Sequence, residues 1–531
     1  MARMTGGEAI AATVAAHGID TVYGLPGAQV YGLFDALHRQ ELRVVTPRHE
    51  QTCGYMALGR FKATGAPSAY AVVPGPGVLN TGAALLTAWG CNAEVLCLTG
   101  QVPRAFLGRG RGHLHEMRDQ RGTLEGMAKA ALHAGSVAEA GGMVAEAFRL
   151  MRSGRPGPVA VEMPWDVFLD TAETEAGGRL DADPDPDPGD AVGAAAAAIA
   201  RAERPMIFVG SGALGAEALV TELAERIGAP AVAFRSGRGV VPNAHALGLT
   251  VAEARHLWAE VDCLIGIGTR LEVPGWRWTA RPEVPVVRID IDAAELERTP
   301  DALALHGRAA PTVAALIEAV PAAMRTPWRE RIAAARERTA GEIGAAPHVG
   351  HLRAIREVLP PDGIFVEEIC QAGFSSLFAF PVEKPRTFLS SGYQGTLGSG
   401  YPMALGAADA RPDVPVVSIA GDGGFMFVAQ ELATAARYGL GVVSVVFDNG
   451  AFGNVRRDQV ERFGGRLVGS ELENPDFAAL AEVFGVRAAR ADSPEALRAA
   501  LTVALEAGGP WLVHVPVTGA EPSPWPFLGS A

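Results

Sequence analysis

The chain has 531 residues, of which 48% are apolar and 20% charged, and a formal net charge of −13. That length exceeds one hydrophobic core and points to about three domains, while the acidic balance argues against nonspecific binding to nucleic acid or anionic membrane. Five scattered cysteines without a CxxC pair read as buried thiols in a reducing compartment, and no apolar stretch reaches the length of a membrane span, so the expected location is cytoplasmic.

The chain opens on Thr5-Gly6-Gly7-Glu8, a capping box before an amphipathic helix and not a basic leader. Short β-branched runs ending in Gly-rich turns then alternate with Ala-rich helical stretches throughout, the pattern of parallel sheets covered on both faces. In such sheets ligands sit beyond the carboxyl ends of the strands. The first turns of interest are Gly24-Leu25-Pro26-Gly27 and Pro74-Gly75-Pro76-Gly77-Val78-Leu79-Asn80. Between them a short strand from Arg43 leads to His49-Glu50 and a helical run from Cys53 to Thr64. After a strand ending at Gln101 comes a basic segment, 104–121, with Arg104, Arg109, Arg111, Arg118 and Arg121 around His113, His115 and Glu116.

Alternating Asp and Pro between Asp181 and Asp190 can neither continue a helix nor join a sheet interior. Residues 171–190 therefore read as a linker between an N-terminal domain, 1–170, and a middle domain, 191–326. In the middle domain Gly210-Ser211-Gly212-Ala213-Leu214-Gly215 satisfies the dinucleotide fingerprint. The next strand, however, ends in Arg235 and Ser236 where an acidic ribose ligand is expected, which makes a nicotinamide dehydrogenase a weak rival. A softer boundary precedes a C-terminal domain, 345–531.

Two strand ends of that last domain carry the sharpest signal. The run Val416–Ala420 ends in Gly421-Asp422-Gly423-Gly424-Phe425, and Val442–Phe447 ends in Asp448-Asn449-Gly450-Ala451-Phe452-Gly453. Mg²⁺ takes octahedral oxygen ligands, few of them from protein. One oxygen each from Asp422 and Asn449 and a nearby backbone carbonyl, with two diphosphate oxygens and a water, would fill that shell. Gly421, Gly423 and Gly424 let backbone N–H groups approach phosphates.

These turns resemble the diphosphate–Mg²⁺ motif of the thiamine-diphosphate (ThDP)-dependent decarboxylase and acetolactate synthase family, which implies Asp422, Asn449 and the carbonyl of Ala451 as the metal ligands. The resemblance runs from Gly24 to about Val517 and looks nearest to acetolactate synthase large subunits, through Gly100-Gln101-Val102-Pro103 and Arg155-Pro156-Gly157-Pro158. It implies an α/β fold of three doubly wound parallel-sheet domains: pyrimidine-binding, middle Rossmann-like and diphosphate-binding. It implies Glu50 as the carboxylate that shares a proton with N1′ of the aminopyrimidine, with Pro26, Gly27 and Asn80 bordering that ring. It implies Leu397 as the apolar wedge that bends the cofactor, next to Gly395 and Thr396. Gln371, Phe452 and Gly453 fall on the diphosphate side. His115 and Glu116 lie where relatives place substrate-facing residues; His115 is the candidate for proton transfer and His113 the weaker one. The complete site would form between two subunits, in a homodimer at least and a homotetramer by family habit.

The chain also departs from its relatives. Asn454 and Asp458 stand where acetolactate synthases carry a Met and a Trp that shape the second-substrate pocket, and Trp165 stands where many relatives keep a Lys. The middle domain lacks the segments that accompany FAD, with Arg270-Leu271-Glu272-Val273-Pro274 in one of their places, so FAD is possible but not favoured. The expected activity is decarboxylation of a 2-oxo acid, acyloin carboligation, or both. Three alternatives stand beside it: a benzoylformate decarboxylase-like enzyme, an acyl-CoA decarboxylase or lyase whose ADP moiety the middle domain grips, and a non-catalytic nucleotide-binding relative. Joint presence of Glu50, Asp422 and Asn449 speaks against the last.

Overall fold

Three sheets, each six-stranded and wholly parallel, follow from the alternating pattern of the sequence. The computed structural model describes residues 2–279, 281–321, 328–518 and 521–529. Residues 1, 326 and 531, which bound the expected domains, lie outside the described residues. In the N-terminal sheet the spatial order is Arg43–Val45, Thr21–Gly24, Ser68–Val72, Val95–Gln101, Val159–Pro164, Ala130–His133. The C-terminal sheet repeats this winding with Phe388–Leu389, Ile364–Val366, Val416–Gly421, Val442–Asp448, Trp511–Pro516, Arg487–Arg490. The middle sheet runs Gly248–Leu249, Ala231–Ala233, Pro205–Val209, Cys263–Ile267, Val286–Asp290, Leu303–His306, the strand order of dinucleotide-binding folds. The α/β fold class expected from the sequence holds in all three sheets.

In the two outer sheets the winding reverses between the first and third strands in chain order. That reversal opens a crevice beyond Gly24 and Val72 in one sheet, and beyond Val366 and Gly421 in the other. Thr5 caps the first helix as expected, donating its N–H to Glu8 Oε2 at 2.7 Å and accepting from Glu8 N at 3.1 Å. The strand Ala2–Thr5 pairs antiparallel with Thr171–Thr174. Residues 175–188, within the expected linker 171–190, carry no regular secondary structure. Arg149 holds Asp183 and Arg308 holds Asp185, so the segment lies against both domains it joins. No helix among the described residues is long and apolar enough to cross a membrane.

The N- and C-terminal domains share one hydrophobic core, in which Tyr55, Met56 and Leu58 pack with Tyr401, Met403 and Phe425. At its centre the helix Glu50–Thr64 crosses the helix Gly400–Ala410 with backbones in contact. A methyl group on Gly59 would stand 2.0 Å from Met403 O, and one on Gly406 2.0 Å from Met56 O. Neither carbonyl belongs to a flexible side chain, so neither can give way. Gly406→Ala should therefore destabilise the protein by about 1–3 kcal/mol through overpacking, seen as a lower thermal and urea midpoint; an unchanged midpoint would mean the two helices are not locked.

Candidate active site

Strand Val416–Gly421 feeds directly into the short helix Asp422–Phe425, which puts Asp422 at the sheet's carboxyl edge, 2% exposed. Its Oδ2 accepts from Ala451 N at 3.1 Å and from Asn474 Nδ2 at 2.7 Å; Asn474 also donates to Asp448 Oδ1 at 2.9 Å. Burial pushes the Asp422 carboxyl up to about 6, with the nearby Asp448 carboxylate adding to the rise. Asn449, one strand over, accepts from the same Ala451 N–H through Oδ1 at 3.1 Å and donates through Nδ2 to Glu521. Asp422 and Asn449 thus present oxygens that converge on one point.

Gln371, Leu397, Gly421, Gly423, Gly424, Ala451, Phe452 and Gly453 line the same cavity of about 120 Å³. The N-terminus of helix Gly453–Arg462 opens onto it. Both amide atoms of Gln371 are buried there without a hydrogen-bond partner, an arrangement that native proteins keep for a ligand or water. Gly424 is required by close approach: a methyl group there would lie 2.4 Å from Glu368 Oε1. Glu368 is fully buried, accepts from Gly398 N and from Gly400 N at 3.1 Å, and is pushed up to about 7 chiefly by burial. It ties the loop carrying Leu397 to the Gly-Asp-Gly turn. Gly395 and Gly398 of that loop are left-handed, φ 63 and 75, and Thr396 meets Thr87 Oγ1 at 3.1 Å.

The N-terminal candidates gather in a second place. Glu50 begins its helix behind His49, whose Nδ1 accepts from Gln51 N, and Glu50 Oε2 accepts from Asn80 Nδ2 at 3.0 Å. Pro26 and Gly27 follow strand Thr21–Gly24; a methyl group on Gly27 would fall 2.4 Å from Val73 Cγ1. His115 lies over Gly75, with its carbonyl 2.5 Å from where a Gly75 methyl would be, and it holds a left-handed φ of 61 with Nδ1 buried and unpartnered. His113 stacks on Phe106 at 4.3 Å. Glu116 is turned into its own loop, accepting from His113 N and Gly110 N at 2.9 Å each, and the His113 N–H leads in holding its carboxyl below the usual range. Arg104 pairs with Asp166 and Asp170, and Arg121 with Glu125. Every residue lining the diphosphate cavity comes from 348–521, so Glu50, Asn80 and His115 of the same chain stand apart from it.

Several polar residues that shape these sites escaped the sequence reading: Glu368, Glu431, His348 and Glu521. Glu431, in the helix after the Gly-Asp-Gly turn, is fully buried and accepts from Arg48 N through both oxygens at 3.1 Å and from Thr52 Oγ1 at 2.9 Å. It therefore grips the chain on either side of Glu50. Only Glu367-Glu368, two acids directly after the buried strand Ile364–Val366, offered a local signal.

In the middle domain, Gly210 and Gly212 abut the backbone of Gly268, at 2.2 Å and 2.7 Å for added methyl groups. Packing of two strand-end turns thus accounts for these two glycines of the dinucleotide fingerprint. A cavity of about 280 Å³ lies beyond the same strand ends, with Arg155, Arg235, Arg270 and Arg308 in its wall.

The raised carboxyl of Asp422 has a consequence for stability. The advantage of its protonated form is full below about 3.8 and is lost as pH rises through about 6. Asp422→Asn should then raise the melting temperature of the ligand-free protein at pH 7 by a few degrees, with the gain gone at pH 4. A gain that is equal at both pH values would show that the carboxylate charge is not its cause.

Three family models match the chain: the N-terminal TPP binding domain of thiamine pyrophosphate enzymes over residues 4–123, the central domain over 192–316 and the C-terminal TPP binding domain over 370–515. A probable 2-ketoarginine decarboxylase of Pseudomonas aeruginosa is 32% identical over 496 residues, covering 91% of this chain and 88% of that protein. The large subunit of acetolactate synthase isozyme 1 of Escherichia coli is 30% identical over 536 residues, 98% and 95% of the two chains. A probable acetolactate synthase large subunit of Methanocaldococcus jannaschii is 31% identical over 553 residues, 98% and 93%. With all three domains matched in order and the cavity lined by the residues the motif named, the chain belongs to the thiamine pyrophosphate enzyme family, close to the acetolactate synthase large subunits.

Proposed function

We propose that this ThDP-dependent enzyme uses Mg²⁺ to act on a 2-oxo acid, by decarboxylation, carboligation or both. The observation that carries the reading is the convergence of Asp422 Oδ2 and Asn449 Oδ1 on the Ala451 N–H, beside the unpaired amide of Gln371. Among the described residues no group of three or more His, Cys, Asp and Glu could hold a metal by itself. Oxygen donors of Asp422, Asn449 and the Ala451 carbonyl suit Mg²⁺, which completes its shell with phosphate and water oxygens. Bound there, ThDP would supply a nucleophilic carbon for the 2-oxo carbonyl and an electron sink for the bond that releases CO₂.

The chain's own residues bind, orient and move protons. Gln371 and the helix start at Gly453 would hold the diphosphate, and Leu397 would support the cofactor as an apolar wedge. Glu50 holds the proton at N1′, its carboxylate steadied by Asn80. Since the diphosphate cavity is lined from 348–521 alone, we place Glu50 and His115 at the cavity of a second copy, in a homodimer or homotetramer. The unpartnered, buried Nδ1 of His115 supports a part in proton transfer to product. Five free thiols support a reducing, cytoplasmic setting.

Asn454 lines the cavity, and Asp458 stands one turn further along the same helix face. Asn454 accepts from Arg457 and Asp458 pairs with Arg462, so this wall is polar and suits a donor with a polar end, such as the 2-ketoarginine for which the Pseudomonas relative is named. One observation favours a second reading: the Arg-rich middle cavity suits the ADP moiety of an acyl-CoA, with FAD the less favoured occupant.

CO₂ release from pyruvate, 2-oxobutyrate, branched, aromatic, dicarboxylic and guanidino 2-oxo acids, with and without ThDP and Mg²⁺, separates these readings. We expect cofactor-dependent release that is greatest for a polar or cationic donor. Silence across the panel, with ThDP nonetheless bound, would move the assignment to the acyl-CoA reading. Glu50→Gln should keep ThDP bound yet slow turnover by about 100-fold or more; wild-type turnover would remove Glu50 from the chemistry.

A further inference from the structure

The Asn449 side chain can serve a cation only if its oxygen, and not its NH₂, faces Asp422. The two ends of an amide have nearly the same shape, so something must decide between them. Two groups do so here. Ala451 N–H, a donor, meets Asn449 Oδ1 at 3.1 Å, and Glu521 Oε2, an acceptor, takes the Nδ2 hydrogen. Glu521 is largely buried, its side chain 11% exposed, and its other oxygen is held by His348 Nε2. His348 in turn rests against Phe447, two residues before Asn449, at 4.6 Å between ring centroids.

The surrounding backbone is built to admit this pair. After strand Trp511–Pro516, Val517 N donates to Asp448 O at 2.7 Å, which steers the chain toward Asn449. Gly453 leaves the necessary room: a methyl group there would stand 2.7 Å from Asn449 Nδ2 and 3.4 Å from Glu521 Oε2.

We propose that Glu521 is a positioning residue for the metal centre: held by His348, it accepts from Asn449 Nδ2 and so turns Asn449 Oδ1 toward Asp422. The inference rests on the reading of Asn449 as a Mg²⁺ ligand. Residues behind a metal's own ligands commonly set affinity by 10- to 100-fold, and Glu521 is expected to do so from the C-terminal segment.

The test is a Mg²⁺ titration of the full chain at saturating ThDP, followed by calorimetry and by intrinsic fluorescence, with melting temperatures recorded alongside. Glu521→Gln should weaken Mg²⁺ binding by about tenfold or more, with most of the kcat restored at high Mg²⁺. Asn449→Asp should bind poorly because two carboxylates then face each other, whereas Asn449→Asp with Glu521→Gln, which reverses the polarity of the hydrogen bond, should recover about tenfold over Asn449→Asp alone. Wild-type Mg²⁺ dependence in Glu521→Gln, or a double variant no better than Asn449→Asp, overturns the proposal. Asn449→Ala separates the two layers. If it too keeps wild-type Mg²⁺ binding, the ligand reading fails and takes the inference with it; if it loses binding while Glu521→Gln does not, only the positioning role fails.

Discussion

Everything else in the molecule hangs on the crossing of two helices, Glu50–Thr64 and Gly400–Ala410, whose backbones touch at Gly59 and Gly406. The contact is more than apolar. Asp409, at the end of the second helix, accepts from Tyr23 Oη at 2.8 Å and from Arg43, and Glu431 accepts from Arg48 N and Thr52 Oγ1. Burying these carboxylates is costly unless donors meet them, and here the donors come from the opposite domain. Each such pair binds one domain to the other, with a geometric precision that apolar packing alone would lack. The N- and C-terminal domains of one chain thereby hold a fixed relation. Glu50 is gripped at the foot of its helix by Glu431, while its own diphosphate cavity lies elsewhere. The proposed pairing of Glu50 with that cavity therefore calls for a second copy.

The repeated winding of the two outer sheets explains why the candidate residues fall where they do. In the first, the crevice at the winding reversal is flanked by Gly-rich turns, Gly24 to Gly27 and Pro74 to Gly77; in the second, by the Gly-rich turn at Gly421 and the segment Glu367 to Gln371. One crevice is furnished with a carboxylate and an amide, Glu50 and Asn80, and the other with the oxygens of Asp422 and Asn449 and the unpaired amide of Gln371. The same strand order thus furnishes two crevices, and under the proposed function one would take a ring nitrogen and the other a phosphate with its cation.

What could be read from the sequence was set by distance along the chain. Asp422 and Asn449 stood out because each ends a strongly β-branched run, and neighbouring parallel strands bring their ends together by register, Gly421 opposite Phe447. Glu50 was singled out by the family resemblance, because a lone Glu before a helix reads locally as a helix-start charge. Glu521, His348 and Glu431 were not, because their partners lie far off in sequence and no local pattern marks them. The loop 104–121 was a different difficulty. Whether Glu116 reaches out or folds back depends on the left-handed turns at Gly108, Gly110 and Gly112, which let the backbone N–H groups wrap around its carboxylate. A glycine permits such a turn without dictating it, so the conformation could not be read from residue types.

The buried acids of the C-terminal domain share a logic that runs against stability. Glu367, Glu368, Asp422 and Glu431 are all buried, and burial raises the carboxyl of each. A core built for stability alone would avoid such a cluster. Each acid nevertheless fastens a particular piece of backbone: Glu368 the loop that carries Leu397, Asp422 the turn at Ala451, Glu431 the approach to Glu50. The strands beneath are apolar and rigid, but apolar contacts cannot fix the orientation of a loop to the fraction of an ångström that oriented chemistry demands. Charged acceptors aimed at backbone N–H groups can, and the domain holds them at the carboxyl edge of its sheet, where the loops that bear the site begin.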